Sequence, residues 1–167
     1  TIKTDKVVYL NKNEVVNENY FASGDSVNIS GTVNGDVYVS GGNIIIDGIV
    51  NGDILAAGGN IYISGTVSQD IRVAGGQINI LGIVGGNITA AGGNITLSDT
   101  SSVKKSVILG GGQITLGGPI TGNVLVGAGT LSLTPNAKLQ GDLTYYSERQ
   151  ANIQEGSLVV GKTIFKE

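Results

Sequence analysis

Seven acidic, amide and hydroxyl residues recur at one position of a repeat, and they are the residues of this chain best placed to do chemistry. They are Asp36, Asp53, Asp70, Asn87, Ser106, Asn123 and Asp142, and successive members lie 17 or 19 residues apart. Carboxylates stacked about 4.8 Å apart repel one another and could hold Ca²⁺, which takes oxygen ligands. The same residue types also bond the backbone of their own turn. We favour this structural interpretation, because Asn and Ser dilute the charge and the nine-residue glycine repeat of calcium solenoids is absent.

The composition removes several classes of function. The 167 residues include no His and no Cys, so the commonest general base and the thiolate metal ligands are missing. Charged residues that interrupt the repeat lie only in the stretches Thr100–Lys105 and Tyr145–Glu155, and neither resembles a cluster of catalytic acids and bases. We therefore expect no enzyme and no cofactor, with a polysaccharide lyase or hydrolase as a distant alternative. A net charge of −3 with scattered lysines gives no basic stripe for nucleic acid.

A period of 17 residues runs along most of the chain and is marked by Gly31, Gly48, Gly65 and Gly82. Within each unit, β-branched residues alternate in two short runs separated by glycines, which predicts strands that meet at corners. We expect each unit to hold three short strands and three corners, with the corner glycines at positive φ. Stacked units place equivalent residues above one another, as in Val33, Val50 and Val67.

The repeat predicts an all-β fold: a right-handed parallel β-helix, that is, a three-sided β-solenoid of about nine coils of about 17 residues. Residues 16–167 are assigned to this β-helix domain, and residues 1–15 to a leading or capping segment. A left-handed hexapeptide solenoid is the alternative, although the apolar residues do not recur every six positions. No stretch of 18 apolar residues is present to span a membrane.

Three outward-facing features carry further hypotheses. Stacked amides are expected to bond along the solenoid, and an outward apolar set is a candidate for lateral association. Tyr145 and Tyr146 are possible sugar contacts, although we favour Tyr145 as an inward residue below Val126. The amides are Asn43, Asn60, Gln77, Asn94 and Gln113, and the apolar set is Ile45, Ile49, Leu55, Ile83, Ile108 and Leu125.

The ends of a solenoid carry more information than its sides. A terminal coil leaves backbone N–H and C=O groups unpaired and core columns open, so it templates further pairing unless it is capped. No amphipathic capping helix is evident, and we expect end-to-end self-assembly, through either like ends or unlike ends. The predicted polymerisation interface comprises Val7, Tyr9, Leu10 and Val16 at one end, and Val159, Thr163, Ile164 and Phe165 at the other.

The unit Val-x-Gly-Asp-Val-x-Val-x-Gly-Gly-x-Ile-x-Ile-x-Gly, as in Val33–Gly48, resembles the bactofilins, or polymer-forming cytoskeletal proteins. The resemblance covers residues 16–165 and implies a right-handed β-helix that joins through its ends into filaments without nucleotide. Its partner would then be a second copy of itself. The stretches Asn11–Gly31 and Gly141–Glu148 are similar to exported, membrane-anchored relatives of that family.

That similarity implies a location at the bacterial cell envelope, outside the cytoplasm, with membrane attachment through segments outside this chain. The alternatives are a cytoplasmic, membrane-associated filament, and a non-polymerising envelope module that binds a polysaccharide or a protein. Because the chain starts at Thr1 and contains no Met, we expect it to be a processed form or a portion of a longer protein.

Overall fold

The computed structural model describes residues 1–167 and consists of 21 strands. It contains no helix that could cross a membrane. The strands are β1 (Ile2–Thr4), β2 (Val7–Leu10), β3 (Val15–Val16), β4 (Tyr20–Ile29), β5 (Thr32–Val33), β6 (Val37–Ile46), β7 (Ile49–Val50), β8 (Ile54–Ile63), β9 (Thr66–Val67), β10 (Ile71–Ile80), β11 (Ile83–Val84), β12 (Ile88–Leu97), β13 (Ser102–Val103), β14 (Val107–Leu116), β15 (Pro119–Ile120), β16 (Val124–Leu133), β17 (Lys138–Leu139), β18 (Leu143–Tyr146), β19 (Asn152–Ile153), β20 (Leu158–Val159) and β21 (Thr163–Lys166).

All strand pairs are parallel, and each strand pairs with its equivalent one turn away, so the chain is a β-solenoid. The long strands form one sheet in the order β1-β4-β6-β8-β10-β12-β14-β16-β18-β21, and the short strands form a second sheet from β3 to β20. Val37 pairs with Ile54, and Ile54 with Ile71, each step being 17 residues. The predicted stacking of equivalent residues is therefore confirmed.

Each regular turn contains two strands rather than the three expected. A ten-residue strand such as β6 buries Val37 and Val39 near its start and Ile44 and Ile46 near its end. Val39 and Ile44 are five residues apart, so a straight strand would point them to opposite faces. Both are buried, which requires the strand to bend between them, at the glycine pair. Sheet pairing nevertheless continues through the bend, where Gly41 pairs with Gly58.

The inward side chains form a single core along the solenoid axis. It contains 40 buried apolar residues from Val8 to Tyr145. The first turn is built by residues 1–16, because β1 and β2 both pair with β4 and β3 pairs with β5. The path of ten long strands thus gives about ten turns, one more than the sequence repeat suggested, and the predicted leading segment lies within the stack. The handedness of the coil stays a prediction.

The corner glycines are needed for a reason other than the one expected. Positive φ occurs only at Gly118 and Gly156, so the prediction of positive φ at the repeat corners is wrong. A Cβ on Gly65 would instead lie 3.0 Å from the carbonyl carbons of Asp47 and Gly48 and closer still to the Gly48 oxygen. Close approach of one turn to the next excludes the side chain, because the backbones at this corner are in contact.

Candidate assembly surfaces at the ends and sides

The acidic and amide residues at one corner tie successive turns together. The Asp36 carboxylate accepts the backbone N–H of Asp53 at 2.7 Å, and the Asp53 carboxylate accepts that of Asp70 at 2.8 Å. The same bond recurs from Asn87 to Ser106 and from Asn123 to Asp142. These side chains therefore satisfy the backbone of the following turn, and the expectation that they bond their own turn is wrong.

This arrangement explains why Asp, Asn and Ser alternate along the corner, since each supplies an acceptor oxygen to a neighbouring N–H. Asp70 also forms an ion pair with Arg72, at 3.6 Å. No group of three or more acidic side chains converges as a metal-binding cluster would. The chemistry of the corner is that of an inter-turn hydrogen-bond ladder.

A second ladder, which the sequence analysis did not identify, runs beside the first. The Asn34 amide donates to Asn17 at 2.8 Å, Asn51 donates to Asn34 at 2.7 Å, and the Ser68 hydroxyl donates to Asn51 at 3.0 Å. The signal was present as Asn at the same phase of three successive units. The amide series that was predicted to bond along the stack does so at one step, where Asn60 donates to Asn43 at 3.0 Å.

The outward apolar residues proposed for lateral association are split among three faces. Leu55, Ile108 and Leu125 lie in one outward column, where Arg72 and Thr89 separate Leu55 from the other two. Ile45 lies on the second face, whereas Ile49 and Ile83 lie on the third with Thr66 between them. They do not form one continuous patch.

Both ends of the solenoid expose unpaired strand edges. At the N-terminal end, β1, β2 and β3 each pair on one side only, and at the C-terminal end the same is true of β19, β20 and β21. Such edges present free N–H and C=O groups that can accept another strand. In this respect the two ends are equivalent.

The apolar residues of the N-terminal end are covered. Val8 and Leu10 point inward and are 5% and 4% exposed. Tyr20 fills the end of a neighbouring inward column, and burial raises its pKa above the usual value, with a further contribution from the Glu14 carboxylate. Lys3 occupies an inward phase of β1 because it pairs with the buried Ala22, and a charged residue there opposes the pairing of another strand edge.

The C-terminal end is more open and more apolar. The inward positions of the last turn are held by Ala151, Ile153, Val159, Thr163 and Phe165. Ile153 pairs with the fully buried Leu133, yet 45% of it is exposed. Val159 and Phe165 are half-buried, and the Phe165 ring stacks on Tyr145 at 5.1 Å between centroids.

Tyr145 itself is 4% exposed and pairs with Val126, so its predicted inward placement is confirmed. Its hydroxyl accepts the backbone N–H of Ala151 at 3.0 Å, which holds the return of the chain into β19. This contact follows an irregular stretch that breaks the 17-residue spacing. The sequence repeat therefore gave no signal for Ile153.

The predicted interface residues fall into two groups at opposite ends of the molecule, but they differ in direction. Leu10 is buried and Val16 is half-buried, whereas Val7 and Tyr9 face outward. At the other end, Val159 and Phe165 border the core, Thr163 is exposed at an inward phase, and Ile164 faces outward. Only part of the predicted set thus lies on an end surface.

Architecture and surface together define a parallel β-solenoid with hydrogen-bonded corners, unpaired strand edges at both ends and one open apolar end. No protein-family model, curated protein or solved structure matches the chain.

Proposed function

We propose that this chain is a structural protein that assembles end to end, without nucleotide, into filaments or a scaffold. The observation that carries the proposal is the open apolar end formed by Ile153, Val159 and Phe165. Burying these side chains against the end of a second copy would extend the core columns and pair the free strand edges. The partner is therefore another copy of this chain.

Substitutions at the C-terminal end test this proposal. Ile153→Lys is the sharpest, because a side chain that is 45% exposed contributes little to the core of the monomer. Val159→Lys and Phe165→Asp are companions, with circular dichroism used to check that each variant folds. Ile108→Asp is the matched control, since Ile108 is 50% exposed in the middle of a side face.

The expected result is that the wild type sediments as long assemblies, visible as thin filaments by negative-stain electron microscopy. Ile153→Lys and Val159→Lys should abolish these filaments, whereas Ile108→Asp should keep them. Filaments that persist in both C-terminal variants would refute the assignment of this end.

The same experiment distinguishes the two modes of contact. If unlike ends meet, blocking the C-terminal end leaves only monomers. If like ends meet, the N-terminal contact survives and leaves dimers. Sedimentation equilibrium of Ile153→Lys separates these outcomes directly.

We further propose that assembly takes place at a bacterial cell envelope, outside the cytoplasm, with membrane attachment through segments outside this chain. The support is the similarity of Asn11–Gly31 and Gly141–Glu148 to exported, membrane-anchored bactofilin-like proteins. Fractionation of cells that express the full-length protein, with protease added from outside, tests this location. Protection from protease in intact cells would favour a cytoplasmic, membrane-associated filament instead.

A further inference from the structure

One outer face of the solenoid carries no charged side chain over seven successive turns. This amide face consists of the outward residues in the second half of strands β4, β6, β8, β10, β12, β14 and β16. They are Ser26, Asn28, Asn43, Ile45, Asn60, Tyr62, Gln77, Asn79, Asn94, Thr96, Gln113, Thr115, Thr130 and Ser132. The outward columns of the other two faces include Arg72 and Lys138. The amide face therefore selects against partners that need a counter-charge.

The hydrogen-bonding groups of this face are largely free. Beyond the Asn60–Asn43 bond, the side chains of Gln77, Asn94 and Gln113 make no hydrogen bond within the chain. This contrasts with the corner that holds Asn34, where each amide bonds the next. Each free amide offers one acceptor oxygen and two N–H donors, which matches a hydroxyl group that both donates and accepts.

The shape of the face suits an extended chain. A depression of about 490 Å³ is lined by Asn43, Ile45, Asn60, Tyr62, Gln77 and Asn79, and Tyr62 is 41% exposed there. The adjoining corner is glycine in six successive turns, so no side chain rises above its edge. The glycines are Gly42, Gly59, Gly76, Gly93, Gly112 and Gly129. At about 4.8 Å per turn, the face runs for about 30 Å along the axis.

We propose that the amide face binds a neutral polysaccharide that lies along the solenoid axis. The Tyr62 ring would pack against the apolar face of one sugar ring, while Asn60, Gln77 and Asn79 bond its hydroxyls. The cores of protein interfaces are rich in aromatic residues, Met and Arg, whereas this face is mainly amide and hydroxyl. A glycan is therefore favoured over a protein partner. The site lies on a side of the solenoid and does not depend on assembly through the ends.

The test is isothermal titration calorimetry with two neutral probes, cellohexaose and the hexamer of N-acetylglucosamine, and with polygalacturonate as the anionic comparison. We expect binding of at least one neutral probe and none of polygalacturonate. Tyr62→Ala should weaken binding by about fivefold to tenfold, the equivalent of an aromatic contact, and Gln77→Ala should weaken it as well. Tyr146→Ala is the matched control, because Tyr146 is 48% exposed on another face.

Absence of binding to both neutral probes overturns the proposal, as does binding that Tyr146→Ala removes and Tyr62→Ala leaves intact. If Tyr62→Ala changes the sedimentation of the wild-type assembly, the face is a contact between copies and the proposal fails. Ile153→Lys separates this site from the proposed function. That variant should lose filaments and keep glycan binding, so either proposal can fail alone.

Discussion

Gly65→Ala tests the close approach of successive turns. Gly65 and Gly48 are both buried at equivalent corners, and a Cβ on Gly65 would overlap the Gly48 carbonyl oxygen. No rotation of a methyl group relieves such a contact, because the obstacle is backbone. The two turns must move apart at this corner.

The cost follows from the hydrogen bonds that join the turns there. The Gly65 N–H donates to the Ile46 oxygen at 3.2 Å, and the Thr66 N–H donates to the Gly48 oxygen at 3.1 Å. A donor left unpaired costs about 1–3 kcal/mol, so losing both lowers the free energy of unfolding by about 2–6 kcal/mol. For a chain of this size, that lowers Tm by on the order of 10 °C.

Gly110→Ala is the matched control with the opposite expected sign. A Cβ on Gly110 would meet no atom within 4 Å, and φ is not positive there. Its register partner one turn earlier is Ala91, which pairs in turn with Ala74. Restricting the unfolded chain should therefore raise the free energy of unfolding by about 0.4–1 kcal/mol.

Thermal unfolding followed by far-UV circular dichroism measures both variants. Protein concentration must be held equal, since self-association raises the apparent Tm. An unchanged Tm for Gly65→Ala, or an equal loss for Gly110→Ala, would refute the view that backbone contact at the corner demands glycine.

The remaining predictions concern two groups of carboxylates. Asp53→Ala leaves the Asp70 N–H without its acceptor and should lower the free energy of unfolding by about 1–3 kcal/mol in urea denaturation. Asp53→Asn keeps an acceptor and should be nearly neutral; an equal loss in both variants, or a Tm that falls when a chelator is added to the wild type, would instead favour a cation at this corner. Asp99 accepts hydrogen bonds from the Thr134 hydroxyl, which is the larger effect, and from the Asn136 amide, and these hold the pKa of Asp99 below its ordinary 3.8. Because the folded state favours the ionised form, the stability from Asp99 is present above pH 3.8 and is lost as the pH falls below that value through the folded pKa. Asp99→Asn should remove this part of the acid dependence, and an acid transition identical to that of the wild type would contradict the assignment.

The solenoid places its polar chemistry in ladders, and neighbouring ladders differ in how they use it. At the corner that contains Asp53, side-chain oxygens bind backbone N–H groups of the next turn. On the amide face, equivalent side chains such as Gln77 and Asn94 are left free. Amide residues at the same spacing thus serve cohesion in one column and are available for recognition in another.

The sequence by itself determined the period, the strand content and the identity of the core columns. Strict alternation of β-branched residues around Val37 and Ile44 allows only strands, and the 17-residue spacing sets which residues meet. Stacking then follows, because a single turn cannot bury enough apolar surface to offset its ordering. The inward position of Tyr145 also followed from its register with Val126.

Only the tertiary structure decided which backbone groups meet between turns and which end of the core is covered. The role of the corner glycines depends on the distance between turns, and the partners of the Asp53 carboxylate lie on other turns, so neither is written in local spacing. The same holds for Ile153, which an irregular loop returns to the stack beside Leu133. Its exposure depends on the absence of a further turn above it, which is a property of the assembled coil and not of any one repeat.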